Sequence, residues 1–384
     1  MKKIIYPLLS VIIILVTTVS CEDLTDVPNN VPTVTTGNVS SVRAYTALIR
    51  KTNSTGKIYE KYEYLMIDTA ESFRDQNYIQ NTTINIFGEV LWSCQNLYPN
   101  TKYYYRQCAF DGLEYVYGET KSFTTEKLIS VNSIKLAAWG DSTSLSNLTG
   151  VDAGAYLVDS AGYSNANTLL KYNSNEFVWS ATPEIQPSTK ASRLYVYAPY
   201  VSSLKDFNIY QALYKYNTDF VYGYSNILDK NNTSANITMH HAFADVVFSV
   251  TRSANDNVGS SLSDIKISYY NNTDSILANG NFNLINGSWT KIGMMNEIVR
   301  GFTKFVPDTK TPTDIDVYFF PASYAAGKLT LSLGSIEVSL PACNWKAGYR
   351  YVYPVTVSQS KLVLGDVQIV PWTNNDAGNI NINN

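Results

Sequence analysis

Short runs of alternating apolar and polar residues follow one another along the chain after residue 30, and long helical periodicity is missing there. Alternation with a period of two is typical of strands that bury one face. Pairs such as Gly37-Asn38, Asp111-Gly112 and Asn286-Gly287 separate the runs, and such pairs favour tight turns between antiparallel strands. The pattern predicts an all-β fold built from antiparallel sandwiches.

The length of the chain indicates more than one sandwich. The 384 residues exceed what one sandwich of about 100 residues needs, so two or three domains are expected. Hydrophobic residues make up 45% of the chain and charged residues 16%, which is enough apolar material for packed cores. The 30 tyrosines outnumber the 14 phenylalanines. Tyrosine suits half-buried strands, and it also suits a contact surface for protein or glycan; both interpretations stay open.

Charge and histidine content narrow the possible functions. The net charge is −3, with no basic stretch beyond Lys2-Lys3, so a nucleic-acid partner is not expected. The 2 histidines, His240 and His241, are adjacent. Adjacent strand residues point to opposite faces, so the two imidazoles would not readily bind one ion. We expect neither a metal nor a cofactor.

The first residues predict secretion and a lipid anchor. Residues 1–20 combine Lys2-Lys3 with an apolar run that is too short for a comfortable membrane span. Small and apolar residues then precede Cys21, an arrangement that resembles a bacterial lipobox, in which the cysteine is diacylated. Thr18 stands where leucine is usual. The alternative is an ordinary signal peptide followed by an incidental cysteine. Residues 21–30 form a polar tether in either case.

Three further cysteines, Cys94, Cys108 and Cys343, are an odd number and cannot form a complete disulfide framework. Cys94 and Cys108 would be able to pair if their strands face each other. The low cysteine content favours free, partly buried thiols.

Residues 31–125 contain a motif in which Leu97 precedes Tyr103 by six positions, with Pro99 and Thr101 between them. This motif resembles the corner at the start of strand F in fibronectin type III domains, where the tyrosine hydroxyl bonds to the backbone. The closing residues 117–125 resemble the last strand of the variety found in Bacteroidetes surface proteins. The resemblance implies a spacer or binding platform, because this fold does not specify a function.

A second resemblance covers about two-thirds of the chain. Its motifs occur in order at residues 197–200 (Tyr-Ala-x-Tyr), 219–223 (Asp-x-x-Tyr-Gly), 241–248 (His-Ala-x-Ala-x-Val-x-Phe), 348–355 (Gly-x-x-Tyr-x-Tyr-x-Val) and Trp372. The ordered set resembles the Bacteroidales fimbrillin family, the Mfa-like type V pilins and their accessory subunits. The resemblance implies two transthyretin-like β-sandwiches, at residues 126–235 and 236–384.

The family resemblance also implies a way of assembling. In polymerising members a protease removes an N-terminal strand after an arginine, and a C-terminal strand of a neighbouring subunit fills the groove. Here no arginine lies between Arg106 and Arg193, and the expected region offers only Lys121, Lys127 and Lys135. This departure, with the added N-terminal domain, favours an accessory, anchor or tip subunit over a major pilin.

The implied partners are other fimbrial subunits and a host or bacterial surface protein or glycan. The implied location is the fimbrium and the outer membrane, which the chain would reach through its lipid anchor. The alternative function is a surface glycan-binding lipoprotein that displays aromatic side chains to sugars.

The C-terminal residues offer two candidates for an exchanged strand. Leu362, Leu364, Val367 and Ile369 alternate around a Gly365-Asp366 turn, and Ile380 and Ile382 alternate in the polar tail. These residues form either a donor strand or the last edge strand of the second sandwich. The edge strand is favoured, because such ends normally pair within their own sheet.

Catalytic motifs are incomplete. Gly140-Asp141-Ser142 resembles the opening of GDS-type esterases, but both histidines are adjacent and neither follows in the late Asp-x-x-His that such enzymes need. Asp314 and Asp316 lack the glycine and distal glutamate of a calcium loop, and are expected on the solvent side of a strand. The sequence therefore predicts a protein that is not an enzyme.

Overall fold

The alternating runs form strands throughout the computed structural model. The structure describes residues 32–59, 62–73, 79–80, 83–86, 88–138, 140, 145–162, 165–213, 218–254, 261–270, 275–359 and 361–369. Within these residues every regular element is a strand, as the alternation predicts. No helix in the described part is long and apolar enough to cross a membrane.

The chain divides into two units. Unit 1 takes the described residues of Met1–Ser41, Ala47–Gln95 and Lys102–Phe123. Unit 2 takes those of Val42–Thr46, Asn96–Thr101 and Thr124–Asn384. Each unit is described separately below.

Unit 1 is an antiparallel sandwich of two sheets. Its strands are β1 (Val39–Val42), β2 (Ala47–Arg50), β3 (Glu63–Asp68), β4 (Ile79–Gln80), β5 (Thr83–Ile86), β6 (Glu89–Cys94), β7 (Lys102–Phe110), β8 (Tyr115–Tyr117) and β9 (Lys121–Thr124). One sheet has the order β1-β2-β6-β5, and the other has the order β4-β3-β7-β8 with β9 also on β7.

The core of unit 1 joins the two sheets. Ile49, Leu65, Trp92 and Tyr105 are almost completely buried. Gln107 satisfies buried polar groups inside this core: its Oε1 accepts from Nε1 of Trp92 at 3.3 Å, and its Nε2 donates to the Thr52 carbonyl at 2.7 Å. A buried amide that makes several bonds costs little and fixes the packing of its neighbours.

Unit 2 contains the remaining strands. These are β10 (Ser130–Ala137), β11 (Leu145–Asn147), β12 (Ala153–Asp159), β13 (Thr168–Asn173), β14 (Val178–Thr182), β15 (Ser192–Ala198), β16 (Asn208–Ala212), β17 (Val221–Ser225), β18 (Ser234–His241), β19 (Ala244–Arg252), β20 (Leu262–Tyr269), β21 (Ile276–Asn283), β22 (Ser288–Met295), β23 (Glu297–Phe305), β24 (Thr313–Phe319), β25 (Ala322–Tyr324), β26 (Leu329–Leu333), β27 (Ile336–Ser339), β28 (Cys343–Trp345), β29 (Arg350–Val357), β30 (Leu362–Leu364) and β31 (Gln368–Ile369).

The first part of unit 2 is a closed ring of strands. The order is β10-β14-β13-β12-β15-β17-β18, and β18 pairs with β10 again, while β11 extends from β10. The β10–β18 pair is parallel and the other pairs in the ring are antiparallel. A closed ring with an odd number of strands must contain a parallel pair, and here the first and last strands supply it. Ile134, Leu157, Leu194 and Ile237 lie in the core of the ring.

The second part of unit 2 is a sandwich. One sheet has the order β24-β19-β29-β30, with β31 also on β29, and the other has the order β23-β20-β26-β27. Two smaller sheets, β16-β21-β22 and β25-β28, lie beside them. The ring and this sandwich share apolar packing, because Phe220 from the segment before β17 lies 5.3 Å from Phe282 of β21, ring centroid to ring centroid.

The paired strands indicate which residues belong to the ring and which belong to the sandwich. The predicted boundary between residues 235 and 236 lies within β18, and the paired residues of β18 join β10 and β17 of the ring. The chain leaves the ring at Ala242 and Phe243 and enters the sandwich at β19. β16 lies before the boundary but pairs with β21 after it. Alternation within a strand does not indicate that the strand pairs across a domain boundary, since pairing is a long-range property.

Candidate assembly site

The C-terminal edge of the second sandwich is built on β29. Its side chains alternate, with Tyr351, Tyr353, Val355 and Val357 directed into the core. One side of β29 pairs with β19 in parallel. The other side pairs with the last described segment of the chain, residues 361–369. This segment is the edge of its sheet.

The predicted C-terminal residues differ in how far they are buried. Leu362 is buried and pairs with Val357. Leu364 and Val367 are partly buried against the core, and Ile369 is 60% exposed although it pairs with Tyr351. Ile380 and Ile382 lie outside the described residues. Leu362, Leu364 and Ile369 therefore pair within their own sheet here, and their use as a donor strand stays a prediction.

A break divides this edge into two short pairings. β30 pairs over Leu362–Leu364 and β31 over Gln368–Ile369. Between them the Gly365 N–H donates to the Pro354 carbonyl at 2.8 Å. A Cβ on Gly365 would lie 3.1 Å from the Cβ of Pro354, so glycine permits this close approach. Few hydrogen bonds hold the edge, and short edges open more easily than central strands.

The first strand of the ring, β10, lies at the closure point. It pairs with β18 from Ser130 to Leu136, but its register with β14 is confined to Val131 and Trp179. Val131 and Ile134 are buried in the ring core. β10 therefore fills a groove with apolar side chains. Its longest pairing is with β18, and on its other side it pairs with β14 at Val131 and with β11 over Lys135–Ala137.

The candidate cleavage lysines differ in accessibility. Lys121 lies in β9, and its Nζ donates to the Thr36 carbonyl at 2.7 Å and lies 2.9 Å from Oε1 of Glu119. Lys127 is exposed in the segment between β9 and β10, and Lys135 is exposed within β10. Lys127 lies outside the strands, although backbone hydrogen bonds hold Glu126 and Ile129 on either side of it, so it is more accessible by geometry than the two lysines within strands.

Unit 2 also holds a buried polar cluster. His241 is the last residue of β18, and its Nδ1 lies 2.6 Å from Oδ2 of Asp219. The side chains of His241 and Asp219 are 6% and 5% exposed. The adjacent His240 is exposed, so the two imidazoles point to opposite faces as strand geometry predicts.

The cluster continues across the sandwich. Arg350 of β29 places Nε 3.4 Å from Oδ2 of Asp245 and its terminal nitrogen 2.9 Å from Oδ1 of Asp316. Burial, with the nearby Asp316 carboxylate, raises the pKa of Asp245 well above its ordinary value. Burial also raises the pKa of Asp316, against the effect of Arg350. Asp314 is exposed, as expected from the sequence, whereas Asp316 is partly buried.

Asp219 and His241 begin two of the ordered sequence motifs, but the sequence did not predict that they meet, because the members of the cluster come from separate parts of the chain. Among the described residues, no group of three or more His, Cys, Asp or Glu side chains is placed to hold a metal ion. The ion pairs of Arg350 join three neighbouring strands of one sheet, β24, β19 and β29, and the pair of His241 with Asp219 joins the end of β18 to the segment before β17.

The remaining predicted residues are placed as follows. Tyr103 is completely buried in unit 1, and its ring stacks on Phe123 at 5.8 Å. Cys94, Cys108 and Cys343 are free, so the possible pairing of Cys94 with Cys108 is absent. Cys21, Ser142 and Trp372 lie outside the described residues. The corner role of Tyr103 stays a prediction.

Comparison with solved structures finds matches at low sequence identity. A candidate cell adhesion protein from Bacteroides ovatus is 14% identical, with a TM-score of 0.49, over 66% of this chain and 100% of its own. A fimbrial protein from the same species is 12% identical, with a TM-score of 0.34, over 62% of this chain and 50% of its own. The fimbrial anchor protein Mfa2 from Porphyromonas gingivalis is 9% identical, with a TM-score of 0.32, over 63% of this chain and 98% of its own. No curated protein matches the chain.

The family match extends over most of unit 2. The model of the fimbrillin-like family matches residues 120–372, a range that begins before β10 and extends past β31. It includes the ring, the sandwich and the polar cluster described above. The resemblance found in the ordered sequence motifs is therefore confirmed, and this chain belongs to the fimbrillin-like family.

Proposed function

We propose that the chain is a cell-surface fimbrial subunit of the accessory, anchor or tip type, which takes part in pilus assembly and cell adhesion through strand exchange. Membership of the fimbrillin-like family supports the fimbrial part of this proposal. The observation that carries the exchange is the position of β10, the first strand of the ring, at the point where the ring closes.

Release of β10 would open a groove in the ring. The paired edge of β18 would lose its partner, and the space occupied by Val131 and Ile134 would become empty. An extended segment with alternate apolar residues restores both the backbone hydrogen bonds and the buried side chains. β10 would leave the groove without a cut at Lys127, because that lysine precedes β10 and a cut there would detach the N-terminal anchor and spacer while β10 stays joined to the ring.

The donor in this proposal is the C-terminal part of a neighbouring subunit. Residues 361–369 have the required alternation and are held by two short pairings. A subunit that accepts a strand needs only the groove in the ring, and a subunit that donates a strand needs only the C-terminal edge. A subunit at one end of a fibre, such as an anchor or a tip, has one neighbour and therefore uses only one of these two sites.

The N-terminal part of the proposal is a lipid anchor at Cys21, a tether over residues 21–30 and a fibronectin type III-like spacer over residues 31–125. The two-sheet order of unit 1 supports the spacer. This arrangement would hold the fimbrillin-like region away from the outer membrane.

A disulfide lock tests the exchange of β10. Ser133 and Asn236 are partners in the β10–β18 pair, so Ser133→Cys with Asn236→Cys fastens β10 to the ring. The native protein, mixed with fimbrial subunits, should give a ladder on gels run without boiling. The locked variant should give none until dithiothreitol is added.

The matched control is Thr330→Cys with Ser339→Cys, which links β26 to β27 away from the ring. The control should form the ladder with or without reduction. An undiminished ladder from the locked, oxidised variant would show that β10 is not released, and would overturn the exchange part of the proposal.

A separate experiment tests the anchor. Cys21→Ser should move the protein from the membrane fraction to the soluble fraction of cells and remove the lipid mass from the mature N-terminus. Unchanged membrane retention would contradict acylation at Cys21.

A further inference from the structure

Unit 1 displays aromatic side chains on one face of its second sheet. They are Tyr59, Tyr62, Tyr64, Phe110, Tyr115 and Tyr117, which together we call the tyrosine platform. Tyr59, Tyr62, Tyr115 and Tyr117 are 47%, 38%, 40% and 46% exposed. Such a concentration of accessible rings on one sheet is more than random surface composition requires.

Five of the six aromatic side chains of the platform lie next to one another in a row. The Phe110 ring lies 6.3 Å from Tyr59, 6.0 Å from Tyr62 and 5.3 Å from Tyr115, between centroids. Tyr115 in turn lies 6.2 Å from Tyr64. The interplanar angles range from 39° to 80°, so the rings present both faces and edges.

Strand register produces this row. Phe110 is the partner of Tyr115 across the β7–β8 pair, and Cys108 is the partner of both Tyr117 and Tyr64. Residues 108 and 110 of β7 are two positions apart and therefore share one face. The same register brings Tyr64, Tyr115 and Tyr117 to that face.

Backbone bonds hold the end of the platform in place. The Tyr59 N–H donates to the Phe110 carbonyl at 3.0 Å. The Asp111 carboxylate accepts from the N–H groups of Leu113 at 2.7 Å and Glu114 at 2.8 Å, which fixes the hairpin turn. Gly112 has φ +108°, and a Cβ there would lie 3.0 Å from the Tyr59 ring. The turn and the ring are therefore packed together before any ligand arrives.

Charges of both signs border the platform. The Arg106 guanidinium lies between two rings, 4.5 Å from the centroid of Phe73 and 4.0 Å from that of Tyr117. The Asp111 and Glu114 carboxylates occupy the turn at the other end. One guanidinium and two carboxylates leave only a small net negative charge among these groups, so the platform offers no strong electrostatic attraction to an ionic partner.

We propose that the tyrosine platform binds a neutral oligosaccharide of pyranose units. The apolar C–H face of a pyranose stacks on an aromatic ring, and tyrosine hydroxyls can bond with the ring hydroxyls of the sugar. The distance between the centroids of successive aromatic rings is about the length of one sugar unit. A neutral ligand also suits a surface with little net charge.

The area of the platform favours a sugar over a protein. Four tyrosines exposed by about two-fifths offer roughly 240–400 Å², given 150–250 Å² for each complete side chain. A stable protein interface takes about 800 Å² from each partner. An oligosaccharide fits on the smaller surface, and binding there does not depend on fimbrial assembly.

A printed array of neutral and acidic glycans, probed with the full mature protein, tests the proposal. We expect retention on at least one group of neutral pyranose oligosaccharides. Tyr59→Ala and Tyr115→Ala should each weaken binding to that group by about tenfold, the equivalent of one lost stacking contact. Tyr115→Phe keeps the stacking ring and should retain most of the binding.

Tyr210→Ala is the matched control, because Tyr210 is 51% exposed but lies in unit 2. It should bind as the unaltered protein does, and thermal unfolding should show that all variants are folded. Failure to retain any neutral glycan on the array would overturn the proposal. So would binding to acidic glycans alone, or equal losses from Tyr210→Ala and Tyr115→Ala.

Discussion

Nδ1 of His241 lies 2.6 Å from Oδ2 of Asp219, where the two side chains are shielded from solvent at the end of the ring. His241 ends β18, and Asp219 precedes β17, so the contact ties two neighbouring strands of the ring where the chain passes into the sandwich. Removing one partner of a buried pair leaves the other without compensation.

His241→Ala should therefore lower the free energy of unfolding of unit 2 by about 3–5 kcal/mol, the range for breaking a buried pair. Urea unfolding followed by hydrogen exchange of β18 and β19 measures the change. His240→Ala removes the exposed neighbour and should change stability by no more than about 0.5 kcal/mol. Equal effects of the two substitutions would contradict the role given to the pair.

The carboxyls beside Arg350 should make unit 2 less stable as pH rises. The pKa values of Asp245 and Asp316 lie above their ordinary value of 3.8, chiefly because both groups are buried. Above that value the folded protein holds more protons than the unfolded chain, so the free energy of unfolding falls with rising pH. Asp245→Asn should make this decline shallower in urea unfolding at a series of pH values.

Asp308→Asn provides the control for that series. Hydrogen bonds from the backbone N–H groups of Thr311 and Lys310 lower the pKa of Asp308, so its contribution has the opposite sign and is lost as pH falls. The variant should leave the decline above pH 3.8 intact. A decline that Asp245→Asn does not alter would show that Asp245 is not its source.

The C-terminal edge should loosen when Gly365 gains a side chain. In Gly365→Ala the new Cβ would meet Pro354 at 3.1 Å, which separates β30 and β31 from β29. We expect faster hydrogen exchange in residues 361–369, with a cost of about 1–2 kcal/mol for the overpacked contact. Gly301→Ala makes the same change where the nearest atom is 4.0 Å away, and should leave that exchange unaltered.

The three described cysteines should react slowly in the folded protein. Burial raises the pKa of the Cys94 thiol to about 12 and that of Cys108 and Cys343 to about 11, so little thiolate exists near neutral pH. In the Cys21→Ser variant, Ellman's reagent should titrate Cys343 first, because that side chain is the least buried of the three.

Addition of urea should make all three thiols react within the mixing time. Fewer than three reactive thiols after unfolding without reductant would reveal a disulfide and contradict the free cysteines of the structure.

Strand formation in this chain follows from a local property of the sequence, which is the alternation of apolar and polar residues. Tyr351, Tyr353, Val355 and Val357 alternate with less buried residues, and they form β29 with one face in the core. The opposite orientations of His240 and His241 follow from the same period of two. The ordered motifs of unit 2 were likewise sufficient to identify the fimbrillin-like family.

Only the tertiary structure decided which strands meet. The parallel β10–β18 pair joins residues more than a hundred positions apart, and nothing in either strand alone specifies that partner. The cluster of His241 with Asp219, and of Arg350 with Asp245 and Asp316, depends on the same long-range pairing. Alternation specifies which face of a strand is buried. The choice of neighbour depends on ring closure and core packing, which involve the whole unit at once.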